Sequence, residues 1–424
     1  MHPSEQIVRV MSRIYAKGMT TTSGGNLSLL DAEGDLWITP SRVDKGTLTV
    51  DDIVRVRRDG SVDGKHKPSS EFPFHLAILK ARPDLRAVVH AHVPALSAFA
   101  VTRRVPDTLV LPQARFVCGA VASSPYVLPG SDALGEAIAA QFARGADCVA
   151  MENHGFVFGG TTLQQGFECM ETLEYTARLI VGAETLGGCT PLSEAEYAES
   201  RRPNNLLPEF TATTPSAREQ ELRRQLCAFA LRGYEQGMMI ATEGSLSVRL
   251  DADSALFTPS GKDRSTLTPE DIVLVRDGRR EAGKLPSRAC LNHLAIYRAH
   301  PWVGAVFNAL PPHTTSFSIA RSAHLTTRII PESHILLRDV GVLPYAQQYG
   351  DGTAVAAAVS TSQPVLLFRN NGAITVGGSV LEAFDRMEVL ENTAKVLLAA
   401  KPLGGALAID DQGIATMTKA FLGV

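Results

Sequence analysis

The chain has little that would send it to a membrane, a nucleic acid or an oxidising compartment. No stretch approaches the roughly eighteen consecutive apolar residues needed to cross a bilayer. The opening segment MHPSEQIVRVMSRIYAKG carries periodic apolar residues but no continuous hydrophobic run of signal-peptide type. A formal charge of −3 and a pI near 6.4 provide no basic field to attract nucleic acid or anionic lipid. The six cysteines (Cys118, Cys148, Cys169, Cys189, Cys227 and Cys290) are scattered and form no CxxC pair. That argues against a disulfide scaffold and fits a reducing compartment. Together these absences predict a cytoplasmic protein with no nucleic-acid or membrane partner. What remains is an ordinary globular composition, 45% hydrophobic and 20% charged, in 424 residues, a length that suggests two or three domains.

Self-comparison shows how that length is used. SGGNLSLLDAEGDLWITPSRVDKGTLTVDDIVRV, from Ser23, aligns without a gap with TEGSLSVRLDADSALFTPSGKDRSTLTPEDIVLV, from Thr242. The register continues with slips of a residue or two: Pro68-Ser69 with Pro286-Ser287, His75 with His293, Pro125-Tyr126 with Pro344-Tyr345, and Gly155 with Gly372. The protein is a tandem duplication, with one copy expected at 1–188, a linker at 189–217 rich in Ser, Thr, Asn and Pro, and a second copy at 218–424. Each copy reads as α/β. An opening helix (Glu5 to Lys17; Glu219 to Glu235) is followed by short strands, among them Asn26–Leu30, Leu36–Ile38, Val88–His92, Cys148–Glu152 and Gly155–Phe158. Pro73–Leu79 and Leu163–Thr185 have helical spacing, and a short helix is expected at Ser193–Glu199 within the linker.

The chemistry gathers in the first copy. In a strand Val88–His92, His90 and His92 point to one face, roughly 7 Å apart along the chain, a span that one metal ion can bridge. Neutral imidazole is a common metal ligand, and three of them leave zinc an open position. Two polar segments complete the pattern, Lys67-Pro68-Ser69-Ser70-Glu71 upstream and Glu152-Asn153-His154-Gly155 downstream. The second copy is an internal control: Glu71 corresponds to Ala289, His90 to Asn308, His92 to Leu310 and His154 to Asn371. Four candidate residues are missing together while the shaping glycines and prolines persist, as expected when a metal site is lost as a unit.

SGGN, ITPS, KPSSE, a strand HAH and a later NHG, in that order, resemble the class II aldolase/adducin family, which includes fuculose-phosphate aldolase. The resemblance covers nearly all of 5–185 and, more weakly, 219–400. It implies two α/β/α layered domains in tandem, each with a central, mainly antiparallel sheet flanked by helices. It also implies a divalent metal, most often Zn²⁺ with Mn²⁺ or Co²⁺ as alternatives, on His90, His92 and His154, with Glu71 as acid/base. Gly25, Asn26, Ser41, Ser69 and Ser70 match the segments that bind a phosphate, although Ser69-Ser70 also suits a helix N-cap.

The implied reaction is lysis of a C–C bond next to a carbonyl through a metal-stabilised enolate. It would be a retro-aldol of a hydroxy-keto phosphate or a decarboxylation of a keto or hydroxy acid. A pentulose-phosphate 4-epimerase and a non-catalytic adducin-like scaffold are the alternatives. Arg42 stands where the family usually has glycine, and its planar fork suits a phosphate, a carboxylate or simply solvent. The tyrosine that the family's aldolases take from a neighbouring subunit has no match near Gln113, which leaves Glu332 and His334 of the second copy as candidate proton donors across a subunit boundary. A homodimer closing a pseudo-fourfold ring is the assembly that such a tandem chain predicts, acting on a small phosphorylated sugar or keto acid.

Overall fold

Asn-Leu-Ser-Leu-Leu and Ala-Val-Val-His-Ala are apolar runs with both faces covered, and they pair antiparallel at the middle of a sheet with Asn26 opposite His90. The computed structural model describes residues 1–203 and 205–423. Their contacts divide into two compact units, Met1–Thr108 with Gln113–Arg178, and Leu109–Pro112 with Leu179–Val424. The helix Leu163–Glu184 contributes to both.

The first unit holds an eight-stranded sheet in the order Val62–Asp63, Val54–Val56, Leu36–Ile38, Asn26–Leu30, Ala87–Ala91, Gly155–Gly160, Cys148–Met151, Ala122–Ser124. Every pairing is antiparallel except that of the last two strands. Helices Phe72–Ala81 and Asp132–Ala143 pack together, and Phe74, Ile78 and Phe142 from them join Val88, Val149 and Val157 of the sheet in one core. The other face is covered by helix Pro3–Ala16, whose Ile7, Met11 and Ile14 recur at helical spacing and are buried. That helix starts with Pro3 in its first turn and is capped by His2 and Glu5.

The second unit repeats this plan with nine strands. The order is Val340–Leu343, Val365–Phe368, Ala373–Gly377, Ala305–Ala309, Ser245–Arg249, Ser254–Phe257, Val273–Arg276, Arg279–Glu281, Glu209–Phe210. Two alterations separate the strands from the expected ones. The strand expected to carry both histidines ends at Ala91, so His92 sits just beyond it. The stretch expected as a linker holds, besides the short helix expected there, an edge strand. Ser193 caps a helix Glu194–Ser200, and Glu209–Phe210 adds a parallel edge strand to the second sheet, because extended chain beside an open edge can satisfy its N–H and C=O groups there. None of the six cysteines is in a disulfide bond, and no helix of the described residues is long and apolar enough to cross a membrane.

Candidate metal centre

Three segments bring the histidines together. His90 lies on the central strand, wholly buried, with the edge of Phe74 against its ring at 5.6 Å. Its Nδ1 donates to the Phe156 carbonyl at 2.8 Å, which fixes the tautomer and leaves the Nε2 lone pair facing the cleft. His92 is exposed at the strand end, its Nε2 at 3.2 Å from that of His90. His154 follows Asn153, which turns the hairpin between Cys148–Met151 and Gly155–Gly160 in a left-handed conformation, φ 55°, that asparagine tolerates. The ligand atoms of His90, His92 and His154 all lie within 4.8 Å of one another.

Glu71 closes the group. It stands at the N-cap of helix Phe72–Ala81, yet its side chain makes no capping bond. Oε1 lies 3.0 Å from His154 Nε2, and Oε2 lies 3.3 Å from His90 Nε2. Burial pushes the His90 pKa down to about 4, helped by the neighbouring His154 and His92 and opposed by Glu71. His92, exposed at its outer edge, loses water where its ring meets the cluster, and this desolvation together with His154 lowers its pKa too, against Glu71. Burial works to raise the Glu71 carboxyl, but His90 and the hydrogen bonds from His154 and Asn26 outweigh it and hold it well below the usual carboxylate range. Near neutral pH, therefore, the neutral rings of His90 and His92 and the carboxylate of Glu71 bring unprotonated lone pairs together, with His154 Nε2 against the same carboxylate. His154 Nδ1 is also buried with no protein partner. This donor set fits a divalent metal, since three histidine nitrogens and an oxygen suit tetrahedral zinc.

A second layer of contacts sets the carboxylate. Asn26 Nδ2 donates to Glu71 Oε2 at 2.7 Å, and Asn26 Oδ1 accepts from His75 Nε2 at 2.5 Å. His75, fully buried on helix Phe72–Ala81, then accepts at Nδ1 from the Ser28 hydroxyl at 2.7 Å. Burial depresses its pKa to about 3, so the ring is neutral. One imidazole thus fixes which way the Asn26 amide faces. Neither His75 nor Ser28 was among the residues expected at the site. The available signal was one histidine among the apolar residues of the helix sequence FPFHLAILKA, whose other polar residue, Lys80, lies in the last turn.

The residues expected to form a phosphate cradle surround this group in separate loops. Gly25 has φ 71°, and a Cβ there would stand 2.7 Å from the His90 carbonyl oxygen, so only glycine lets the chain pass. Ser41 N donates to Lys67 O at 3.0 Å and Ser69 N to Thr39 O at 3.1 Å, tying the Thr-Pro-Ser turn to the Lys-Pro-Ser segment. The helix N-cap is Glu71, not Ser69 or Ser70; Ser69 Oγ accepts from Glu71 N at 3.3 Å, and Ser70 is exposed. Arg42 is exposed and holds a left-handed φ of 59°, where its counterpart Gly261 has φ 67°. Beneath the turn lies Lys45, a buried cation that sequence reasoning missed, donating to the carbonyls of Pro40 at 3.0 Å and Val43 at 3.2 Å. Glu152 is outside the converging group, its Oε2 3.5 Å from Arg103 Nε. Glu332 and His334 belong to the second unit, on helix Pro331–Leu337, where Glu332 is exposed and His334 Nε2 lies 3.3 Å from Thr418 Oγ1.

The sequence matches the family described as class II aldolase and adducin N-terminal domain twice, over residues 5–181 and 224–398. The chain belongs to that family, in tandem. It is 34% identical over 180 residues to the 3-oxo-tetronate 4-phosphate decarboxylase of Escherichia coli (strain K12), covering 42% of this chain and 84% of the relative. The 5-deoxy-D-ribulose 1-phosphate aldolase of Bacillus thuringiensis is 30% identical over 195 residues, 45% of this chain and 90% of that one. The L-fuculose phosphate aldolase of Methanocaldococcus jannaschii is 32% identical over 176 residues, 41% and 93%. With aldolases and a decarboxylase as its relatives, the chain is an aldolase-type lyase.

Proposed function

We propose that the first unit cleaves a C–C bond next to the carbonyl of a small phosphorylated substrate, by retro-aldol cleavage or by loss of CO₂. The observation that carries this reading is the convergence of the ring nitrogens of His90, His92 and His154 with the carboxylate of Glu71. The names of the relatives supply the substrate class, since each acts on a phosphorylated sugar or sugar acid. His90, His92 and His154 hold the metal, for which zinc is the best match, with Mn²⁺ and Co²⁺ as alternatives. A divalent metal held there supplies a Lewis acid that stabilises negative charge on the carbonyl oxygen as the bond breaks.

Everything else falls to the chain's own side chains. Glu71, ionised and steadied by Asn26, moves the proton: it takes one from the substrate hydroxyl in a retro-aldol, or, after loss of CO₂, takes one from water and passes it to the carbon that CO₂ leaves. Ser41, Ser69 and Ser70 receive the phosphate through their hydroxyls, in loops that the Ser41 and Ser69 N–H groups tie together and beside the close turn at Gly25. Arg42 serves a second anionic group, and the left-handed strain that it bears, ~1–2 kcal/mol, is consistent with a functional side chain there. Two chains assemble as a cytoplasmic homodimer with one metal per chain, and Glu332 or His334 serves as proton donor across the boundary.

The test is to load the purified protein with Zn²⁺ or Mn²⁺ and offer hydroxy-keto phosphates and 3-oxo-acid phosphates. Aldehyde release, CO₂ release and an epimerised product tell the three reactions apart. His92→Ala should lose bound metal and turnover together. Full activity in that variant would remove the site assignment, and two metals per chain would remove the one-site reading.

A further inference from the structure

The second unit keeps the loops that frame the first unit's cradle, almost bond for bond. Ser260 N donates to Leu285 O at 2.9 Å and Ser287 N to Thr258 O at 3.0 Å, as Ser41 and Ser69 do in the first unit. A buried cation lies under the turn in both. Arg264, the counterpart of Lys45, donates to the carbonyls of Pro259 at 3.0 Å, Lys262 at 2.8 Å, Thr242 at 3.0 Å and Gly244 at 2.8 Å. On the rim, however, two residues have changed as a pair. Gly24 corresponds to Glu243, and Ser70 corresponds to Arg288.

Gly24 shows what that change does to the space. A Cβ at Gly24 would stand 3.5 Å from His92 Nδ1 and 2.9 Å from Thr21 Oγ1, so any side chain there enters the room beside the histidines. At the same place in the second unit a glutamate grows inward. Arg288 Nη2 lies 3.9 Å from Glu243 Oε1, and the positive charges of Arg264 and Arg201 act on the same carboxyl. Burial raises the pKa of that carboxyl, and the three arginines pull it back towards the ionised form. The segment between the repeats lies alongside: Arg288 Nη1 is 3.5 Å from the carbonyl of Ser200, at the end of helix Glu194–Ser200.

We propose that the second unit carries its own anion. The Glu243 carboxylate, beside Arg288 and within the field of Arg264 and Arg201, occupies the place that the first unit leaves open for the anionic group of its ligand. This rests on the reading of the first unit's cradle as a phosphate site. The exchange of residues follows from the permanence of the occupant. A serine hydroxyl at position 70 suits a ligand that comes and goes, whereas a guanidinium at position 288 needs a lasting counter-ion once it is half-buried. A tethered carboxylate provides that at an effective concentration that free phosphate does not reach in solution. The second site is thus filled as well as stripped of metal ligands.

The test counts inorganic phosphate bound per full-length chain, by equilibrium dialysis, in the wild type, Glu243→Ala and Glu243→Gln. Glu243→Ala should bind one phosphate more than the wild type, and phosphate should raise its melting temperature by more than it raises that of the wild type. Glu243→Gln, which still fills the space, should leave the count unchanged. An Ala variant that is folded by circular dichroism and binds no additional phosphate overturns the proposal, as does a gain in the Gln variant. The two readings separate cleanly. If the first unit is not a phosphate site, the wild-type count is zero while the increment of one persists; if the plug is wrong, the increment is absent whatever the wild-type count.

Discussion

One strand built twice separates what the fold needs from what the chemistry needs. Ala87–Ala91 and Ala305–Ala309 sit between the same neighbours in the same register: Asn26 opposite His90 and Ser245 opposite Asn308 on one side, Val157 and Ile374 on the other. The Asn308 amide donates to the Ala373 carbonyl at 2.7 Å, where His90 Nδ1 donates to that of Phe156 at 2.8 Å. The fold therefore asks this position for one donor, and asparagine supplies it. The other imidazole nitrogen has no structural duty. Glu71 gives the same lesson, since Ala289 also precedes a helix and keeps the same bond from its N–H to the serine two residues earlier, 3.3 Å in each unit.

The largest consequence of the difference is acid sensitivity without metal. Burial lowers His75 to about 3 and His90 to about 4, and it lowers His92 as well; in the second unit His293 falls to about 3 and His334 is lowered. A histidine whose folded pKa is depressed binds protons more readily when unfolded. Its contribution is fully present above about pH 6.5 and is lost as pH falls from there towards the folded value. His90, without a histidine counterpart, adds an excess of ~3 kcal/mol to the loss in the first unit. Hydrogen exchange of the metal-free protein, corrected for intrinsic rates, should show Ala87–Ala91 losing more protection than Ala305–Ala309 between pH 7 and pH 4.5. Zinc should reduce the gap by competing with protons for the same nitrogens. Equal losses would break the comparison.

Next in size is the base. Because Ala289 serves the second unit's helix, Glu71→Gln should leave folding and metal content unchanged while kcat falls at least ~10²-fold. A variant that loses metal instead would make Glu71 a permanent ligand, and one with wild-type kcat would remove it from the chemistry.

How much of this was legible beforehand follows from the range over which residues cooperate. The tandem α/β plan and the strands Asn26–Leu30 and Leu36–Ile38 rest on local periodicity and on repetition, which a single chain displays openly. The histidine group could be found because the second copy lacks all its members at once. The supports could not. Asn26 meets His75 and Glu71 across more than forty residues, and no spacing rule links them. Lys45 looks like one more surface lysine until its two carbonyl partners are seen. Gly24 and Ser70 changed to Glu243 and Arg288 in full view, but a pair of exchanges becomes an ion pair only when two loops are known to face each other.

The smallest effect tests the comparison most finely. In the first unit His75 Nε2 is paired with Asn26 Oδ1, but in the second His293 keeps only its Nδ1 bond to Ser247 Oγ, at 2.8 Å. Its Nε2 is buried with no protein partner, and so is the hydroxyl of Ser245, the shorter residue that stands where Asn26 would be. Leaving such a donor unmet costs ~1–3 kcal/mol. Ser245→Asn should bring an amide oxygen to that nitrogen. The new NH₂ group, however, would face Ala289 in place of a carboxylate, so the net gain should be only about 1 kcal/mol. It should appear as a higher guanidinium midpoint with an unchanged m-value. The mirror variant, Asn26→Ser, should orphan His75, loosen Glu71 and lower kcat by about 10–100-fold with metal retained. If Ser245→Asn stabilises nothing while Asn26→Ser destabilises, the second unit has repacked around its loss and His293 is no longer a remnant of the first unit's relay.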